Sequence, residues 1–464
     1  MTLRLSLGAL VLIGCAEEAE PRELAQLAAL PEVQCEPADT TSDFYAWDGT
    51  LPADDGAVIK CRAIAKQADR PQGYRVLYRT TILQHEASGD VTLPVPASGV
   101  VWIPEGTQEN RPVIANTHGA VGIVAKCGPS RSTAYDRGYV NELAKSLPAE
   151  PIVVVPDYVG LGVDPRVRVP EVKDFTVVWP NGVRSWPFSD VSHPFASLEG
   201  EGRATIDLVR AARQLPNAKL DVVKWVAFGQ SQGGHAALAT AEVMARDYAP
   251  ELELLGVVAG APATQLYEDR NWNPALKNAV FGMMAASLPL EWRTLRSSTY
   301  LTYEGAMLVG NSANGTCFGE DSLFDVLVSY NAVKLFRDEN NPFRDPAVVS
   351  ALTSNSPGKT RTNVPIFVGQ VRTDPLVMQG RTRAFLATAN AEYKKQVTLC
   401  EYYGGGARND FEQKAYEALG WAFHTQDHNA FGKMFALPAR RIRCERDGQA
   451  VAATPSEFVR ALAW

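Results

Sequence analysis

The chain has little of what marks a nucleic-acid or metal protein. It carries no long run of like charge and no basic stripe, and its 45 Lys and Arg stand against 52 Asp and Glu, which argues against a partner recognised through phosphates. No Cys and His spacing of the zinc type occurs, which argues against nucleic-acid binding as well. No repeat and no low-complexity block is present, which sets aside solenoids and propellers. No apolar run is long enough to span a bilayer. Histidine is scarce, with six in 464 residues, so candidates for a general base can be enumerated one by one.

What is there begins at the N-terminus. Arg4 precedes a short apolar stretch, Leu5 to Ile13, that ends at Gly14-Cys15. This pattern predicts a signal peptide over residues 1–14. Leu12-Ile13-Gly14-Cys15 resembles the bacterial lipobox, which predicts lipidation at Cys15, membrane attachment through acyl chains, and an exported lipoprotein of the outer membrane or cell surface. An ordinary signal peptide cut elsewhere is the alternative. Six cysteines then remain, an even number that suggests disulfides in an oxidising compartment. Chain order suggests Cys35 with Cys61, Cys127 with Cys317, and Cys400 with Cys444.

The length exceeds that at which one core stops growing, so one large domain carrying a cap or two tightly joined units is expected. Tyr74 to Leu83 and Gly99 to Ile103 read as an antiparallel hairpin. After them, apolar runs at Val113–Thr117, Ile152–Pro156, Val222–Phe228, Leu254–Ala259, Pro365–Val371 and Val397–Tyr403 alternate with helical segments. That rhythm predicts an α/β fold with a mainly parallel central sheet. It breaks between Ala261 and Thr362, where helical apolar segments such as Ala279–Leu290 and Leu323–Phe336 predict a largely helical cap inserted between late strands. The expected organisation is an N-terminal extension (15–73), a first core part (74–260), a cap (261–362) and a second core part (363–464). Asp164 to Asp190, with Trp179 and Trp186 among prolines, reads as an irregular loop at the cleft.

Gly229-Gln230-Ser231-Gln232-Gly233 supplies the chemistry. The G-x-S-x-G pattern gains meaning from its place between the strand Val222–Phe228 and an alanine-rich helix, the context of a nucleophile elbow in an α/β-hydrolase fold. A nucleophilic serine needs a sharp strained turn, and side chains at 229 and 233 would collide with the neighbouring strand and helix. The backbone N–H of Gln232 would face the oxyanion, and a second donor is expected from Thr117-His118-Gly119-Ala120, with Gly119 allowing close approach and Ala120 giving its N–H. His118 is read as a pin for this loop. The order Ser, acid, His along such chains excludes His85, His118 and His193, and His235 lies too close to Ser231 on its own helix. His424 and His428 remain, with His428 preferred because Phe431–Phe435 would begin a following helix. Asp374, closing the run Pro365–Val371, is preferred as the acid over Asp410 and Asp427.

Several ordered motifs then point to a family. They are Thr117-His118-Gly119 with Cys127-Gly128-Pro129-Ser130, Asp157-Tyr158-Val159-Gly160-Leu161-Gly162, His193-Pro194-Phe195, Glu201-Gly202-Arg203, Gln230 to His235, Tyr248 to Leu252, and Gly260-Ala261-Pro262-Ala263. Together the chain resembles the secretory lipases typified by fungal lipase A and their bacterial relatives. The resemblance implies a cap between late strands, hydrolysis of acyl esters, and neither metal nor organic cofactor. Two departures stand out: Gly404-Gly405-Gly406-Ala407-Arg408 carries no histidine where the family usually places its base, and Asp164–Asp190 looks inserted.

The expectation is therefore an exported serine carboxylic-ester hydrolase with an acyl-enzyme on Ser231, acting on small-molecule, lipid or polyester esters. Phe281, Met283, Met284 and Leu288 would line an acyl pocket or simply form cap core. The rivals are an exported serine peptidase of the same fold and a surface lipoprotein that has lost catalysis.

Overall fold

The computed structural model describes residues 31–68, 70–131, 140, 143–170, 176–179, 182–185, 191–268, 274–315, 317, 331–337, 341–372, 374, 376–402, 442–451 and 454–464. Among the described residues, eleven strands form one sheet. β1 (Val58–Ala63), β2 (Gln72–Glu86) and β3 (Gly89–Ile103) run antiparallel at one side. They lead into β4 (Val113–Thr117) and β5 (Ile152–Pro156), with β5 paired antiparallel to β3 and parallel to β4. A separate two-stranded hairpin, β6 (Thr176–Trp179) and β7 (Gly182–Ser185), lies inside the stretch expected to be irregular. β8 (Lys224–Gln230), β9 (Glu253–Gly260), β10 (Ile366–Val371) and β11 (Val397–Tyr402) continue the parallel part. β12 (Ile442–Arg446) and β13 (Gln449–Val451) close it with a second antiparallel edge, giving the order β1-β2-β3-β5-β4-β8-β9-β10-β11-β12-β13. This is an α/β-hydrolase fold.

The strands alternate sides with period two, and both sides are covered, which is why their sequences are apolar throughout. Val113, Ala115, Trp225, Ala227, Val257 and Ile366 join one core layer, whereas Ile114, Val226, Phe228, Val258 and Phe367 join the other. The first layer is closed by α1 (Leu198–Ala212) and α2 (Gln232–Met244), through Ile206, Val209, Leu238 and Ala241. The second is closed by Val140, Leu143, Phe458 and Val459. Ser197 caps α1 by accepting from Gly200 N, and Glu199 and Glu201 sit in its first turn, where the helix dipole favours negative charge.

The cap contains α3 (Pro274–Ser287), α4 (Tyr303–Gly315) and α5 (Pro346–Ser354), the last started by Asp345, whose side chain accepts from Ala347 N and Val348 N. Its apolar core joins Phe281, Met283, Met284 and Leu288 to Ile123, Val124, Tyr158 and Ala236 of the main body. The expected segment Leu323–Phe336 falls largely outside the described residues. Beyond the cap, the helical segment between β10 and β11 is broken into α6 (Gln379–Thr388) and α7 (Ala391–Gln396), because the Asn390 side chain accepts from Glu392 N and starts a new helix.

All three disulfides pair as chain order suggested. Cys35–Cys61 fastens the N-terminal extension to β1, a strand that the sequence reading did not anticipate. Cys127–Cys317 ties the loop region after β4 to the cap, and Cys400–Cys444 joins directly opposed residues of β11 and β12.

Candidate active site

The sheet delivers Ser231 to the end of β8, where the chain reverses into α2. Its backbone has φ 60 and ψ −122, a conformation disfavoured for any residue with a β-carbon, and the surroundings hold it there. Ser231 N donates to Gly260 O at 2.9 Å, and Ser231 O accepts from His235 N at 3.1 Å and Ala263 N at 3.0 Å. The residue is partly exposed while the twelve that follow are buried.

The flanking glycines are required by closeness. A β-carbon on Gly229 would lie 2.1 Å from Thr117 Oγ1, and one on Gly233 would lie 2.1 Å from Thr117 O. The Thr117 hydroxyl fills the remaining space, donating to Gly233 O at 2.7 Å with Phe228 O at 2.9 Å. The end of β4 therefore dictates both glycines of the motif.

Gln232 opens α2, so its N–H belongs to the first turn, whose donors have no partner within the helix. The Gly119 loop lies beside it: a β-carbon on Gly119 would stand 3.6 Å from Gln230 O and 3.9 Å from Ser231 Cβ. Those are ordinary contacts, so glycine there is not demanded by the protein's own packing. His118 pins this loop, with Nδ1 2.6 Å from Gly119 O and Nε2 3.2 Å from Asp157 O, while its own carbonyl accepts from Tyr158 Oη. Burial pushes its pKa below the ordinary histidine value. The Asp157 carboxylate anchors the neighbouring loop by accepting from Ser98 Oγ at 2.6 Å and Ser130 N at 2.8 Å.

Asp374 follows β10 and is 4% exposed. Its Oδ1 accepts from Leu376 N at 2.9 Å and Val377 N at 3.0 Å, which fixes the turn. Gln370 braces the same turn by donating to Val371 O and Val377 O while accepting from Thr382 Oγ1. His424, His428 and Cys15 lie outside the described residues.

His193, Glu201 and His235, motif residues of which the two histidines are set aside as bases, meet behind the turn, a meeting that nothing local in the sequence signals. Glu201 Oε2 accepts from His235 Nδ1 at 2.7 Å, and Oε1 accepts from Gln232 Nε2 at 2.6 Å and Ala196 N at 3.0 Å. His235 Nε2 donates to Asn355 O at 2.7 Å. His193 donates from Nδ1 to Val159 O and accepts the Gln232 amide on Nε2 at 2.9 Å. Burial drives His193 down to about 4, so it stays neutral. Burial also opposes charge on His235, yet the Glu201 carboxylate outweighs it and holds that pKa above the ordinary value.

On the cap side, Phe281, Met284 and Leu288 line a small apolar crevice with Tyr300 and Phe343, whereas Met283 is buried in the cap core without lining it. Among the described residues no group of three or more His, Cys, Asp or Glu is placed to hold a metal, and no helix is long and apolar enough to cross a membrane.

A sequence model of the secretory lipase family matches residues 142–421, more than half of the chain. The chain belongs to the secretory lipase family. Membership brings the coarse activity, hydrolysis of esters, and the match ends before both candidate bases. Among solved structures this secretory lipase is similar to lipase A of Candida antarctica in its closed state, with 17% identity and TM-score 0.53, covering 81% of this chain and 82% of that one. It is also similar to LipA of Xanthomonas oryzae, a rice cell wall degrading esterase, with 19% identity and TM-score 0.57, covering 82% of this chain and 98% of that one. At such identities the likeness speaks for the fold. No curated protein matches the sequence significantly.

Proposed function

We propose that this secretory lipase is an exported serine carboxylic-ester hydrolase in which Ser231 forms an acyl-enzyme. The observation that carries the reading is the turn itself: a partly exposed serine at φ 60, between a buried parallel strand and a helix N-terminus. Ser231 Oγ would attack the ester carbonyl while a histidine takes its proton and returns it to the leaving alkoxide; the same histidine then activates water against the acyl-enzyme. His428 is the preferred base and His424 the alternative. Asp374 would orient the imidazole. The N–H groups of Gln232 and Ala120, with Gly119 leaving room, would hold the oxyanion, each such donor contributing about 2.7 to 4 kcal/mol to the barrier.

Three disulfides support an oxidising compartment, and with the Leu12–Cys15 motif they favour an exported chain lipidated at Cys15. The acyl group would be received in part by the cap, near Phe281, Met284 and Leu288.

Labelling with a fluorophosphonate probe, alongside turnover of p-nitrophenyl esters and p-nitroanilide peptides, tests this. Ser231→Ala should abolish labelling and lower ester turnover by about 10⁴-fold or more. Either His428→Ala or His424→Ala, but not both, should do nearly the same. Retained labelling in Ser231→Ala, or faster turnover of the amide, would overturn the reading.

A further inference from the structure

We infer that Glu201 and His235 are positioning residues for the nucleophile turn, acting through the side chain of Gln232. The inference rests on the reading of Ser231 as nucleophile. Three motifs far apart in sequence meet here: His193 before α1, Glu201 in its first turn, and Gln232 with His235 in the first turn of α2. All four residues are at least 98% buried, so none of their polar atoms is held by solvent.

The hydrogen-bond chemistry constrains the arrangement. Asn355 O can only accept, so His235 Nε2 carries a proton; Nδ1 lies 2.7 Å from Glu201 Oε2, and that carboxylate holds the His235 pKa above its ordinary value, which favours an imidazolium paired with it. The carboxylate's other oxygen then fixes Gln232 Nε2, because the opposite amide orientation would set two acceptor oxygens against each other. Val159 O requires the His193 proton on Nδ1, which leaves Nε2 to accept the second amide hydrogen. Both hydrogens of the Gln232 side-chain nitrogen are thus engaged, Oε1 being left without a partner among the described residues, and the same residue supplies the backbone N–H that follows Ser231. His235 also reaches the turn directly, since its own N–H donates to Ser231 O.

The pair holds the cap as well. Asn355 ends α5, and its Oδ1 accepts from Leu198 N, so the chain returning from the cap is fastened to the start of α1 and to His235 together. A structural ion pair of the core would not need the link through Gln232, and that link separates the two roles.

The decisive variant is Gln232→Met, which keeps Ser231, the backbone N–H and the Glu201–His235 pair. With p-nitrophenyl butyrate, kcat should fall about tenfold to a hundredfold, the size seen when groups that orient first-contact residues are lost, with KM within about twofold. The rate of fluorophosphonate labelling should fall in parallel, and the thermal midpoint should move little. Glu201→Gln and His235→Gln should each cost more in stability, because each leaves a buried charge unpaired, and combining them should recover part of that loss. Should those variants not fold, Gln232→Met still decides. Wild-type kcat in Gln232→Met, or a loss no greater than its loss of folded protein, would overturn the inference. Ser231→Ala run alongside keeps the two claims apart: if it stays active the nucleophile reading fails and this inference with it, whereas if it is dead and Gln232→Met is unchanged, only the inference fails.

Discussion

The polar floor behind Ser231 and the core of the cap are both buried, yet they are held by opposite means. The floor is a polar cluster in which Glu201, His193, His235 and the amide nitrogen of Gln232 are linked at 2.6 to 2.9 Å, while Gln232 Oε1 is buried without a partner among the described residues. The cap is held mainly by apolar packing, with Phe281 and Phe343 at 3.9 Å between ring centroids and Met283 and Met284 filling the gaps. Hydrogen bonds are directional and tolerate little displacement, whereas methionine and phenylalanine repack at small cost. Under the proposed function, a site built on both would hold its reacting atoms still while leaving the acyl side adaptable.

The largest break is expected in the floor. Gly233→Ala would press a β-carbon onto Thr117 O, and should cost more than about 4 kcal/mol or leave no soluble enzyme. Gly119→Ala, whose β-carbon would meet only ordinary contacts, should stay within about 1 kcal/mol of the parent in the same denaturant titration. In the cap, Phe281→Ala should destabilise by about 3 to 5 kcal/mol. Turnover of a short acetyl ester should change less than about threefold, while the octanoate-to-acetate ratio of kcat/KM falls. An unchanged ratio would make these residues cap core alone.

A pH-dependent effect sharpens the seam between the two regions. Glu291 of the cap is buried against Ser197 at the start of α1, with Glu199, Glu201 and Arg203 near it, and burial raises its pKa to about 8. Between the ordinary value of 4.5 and about 8 the unfolded chain has released this proton while the folded protein keeps it, so stability falls as pH rises. Each pH unit in that window removes about 1.4 kcal/mol. Glu291→Gln, which still accepts from Ser197, should therefore gain thermal midpoint over the parent at pH 8 and little at pH 5. An equal difference at both pH values would show that Glu291 is ionised in the folded protein.

The six parallel strands were legible because strands buried on both faces write themselves as apolar runs, and β8 followed by Gly229 to Gly233 located the turn. The strand β1 was not, since Val58–Ala63 is only partly buried and includes Lys60 and Arg62. Nor was the hairpin of β6 and β7, lying among residues whose prolines suggested irregular chain. The break at Asn390 depends on one side chain accepting a backbone hydrogen bond, a choice that helical periodicity does not record.

By itself the sequence determined the sheet's parallel part, the turn that presents Ser231 and the family, because these depend on local pattern and on residues adjacent in the chain. Only the tertiary structure decided that His193, Glu201, Gln232 and His235 share one buried site, and that burial lowers the pKa of the first histidine while the carboxylate raises that of the second. Protonation is set by the partners that burial forces together, and those partners come from segments that sequence order keeps apart.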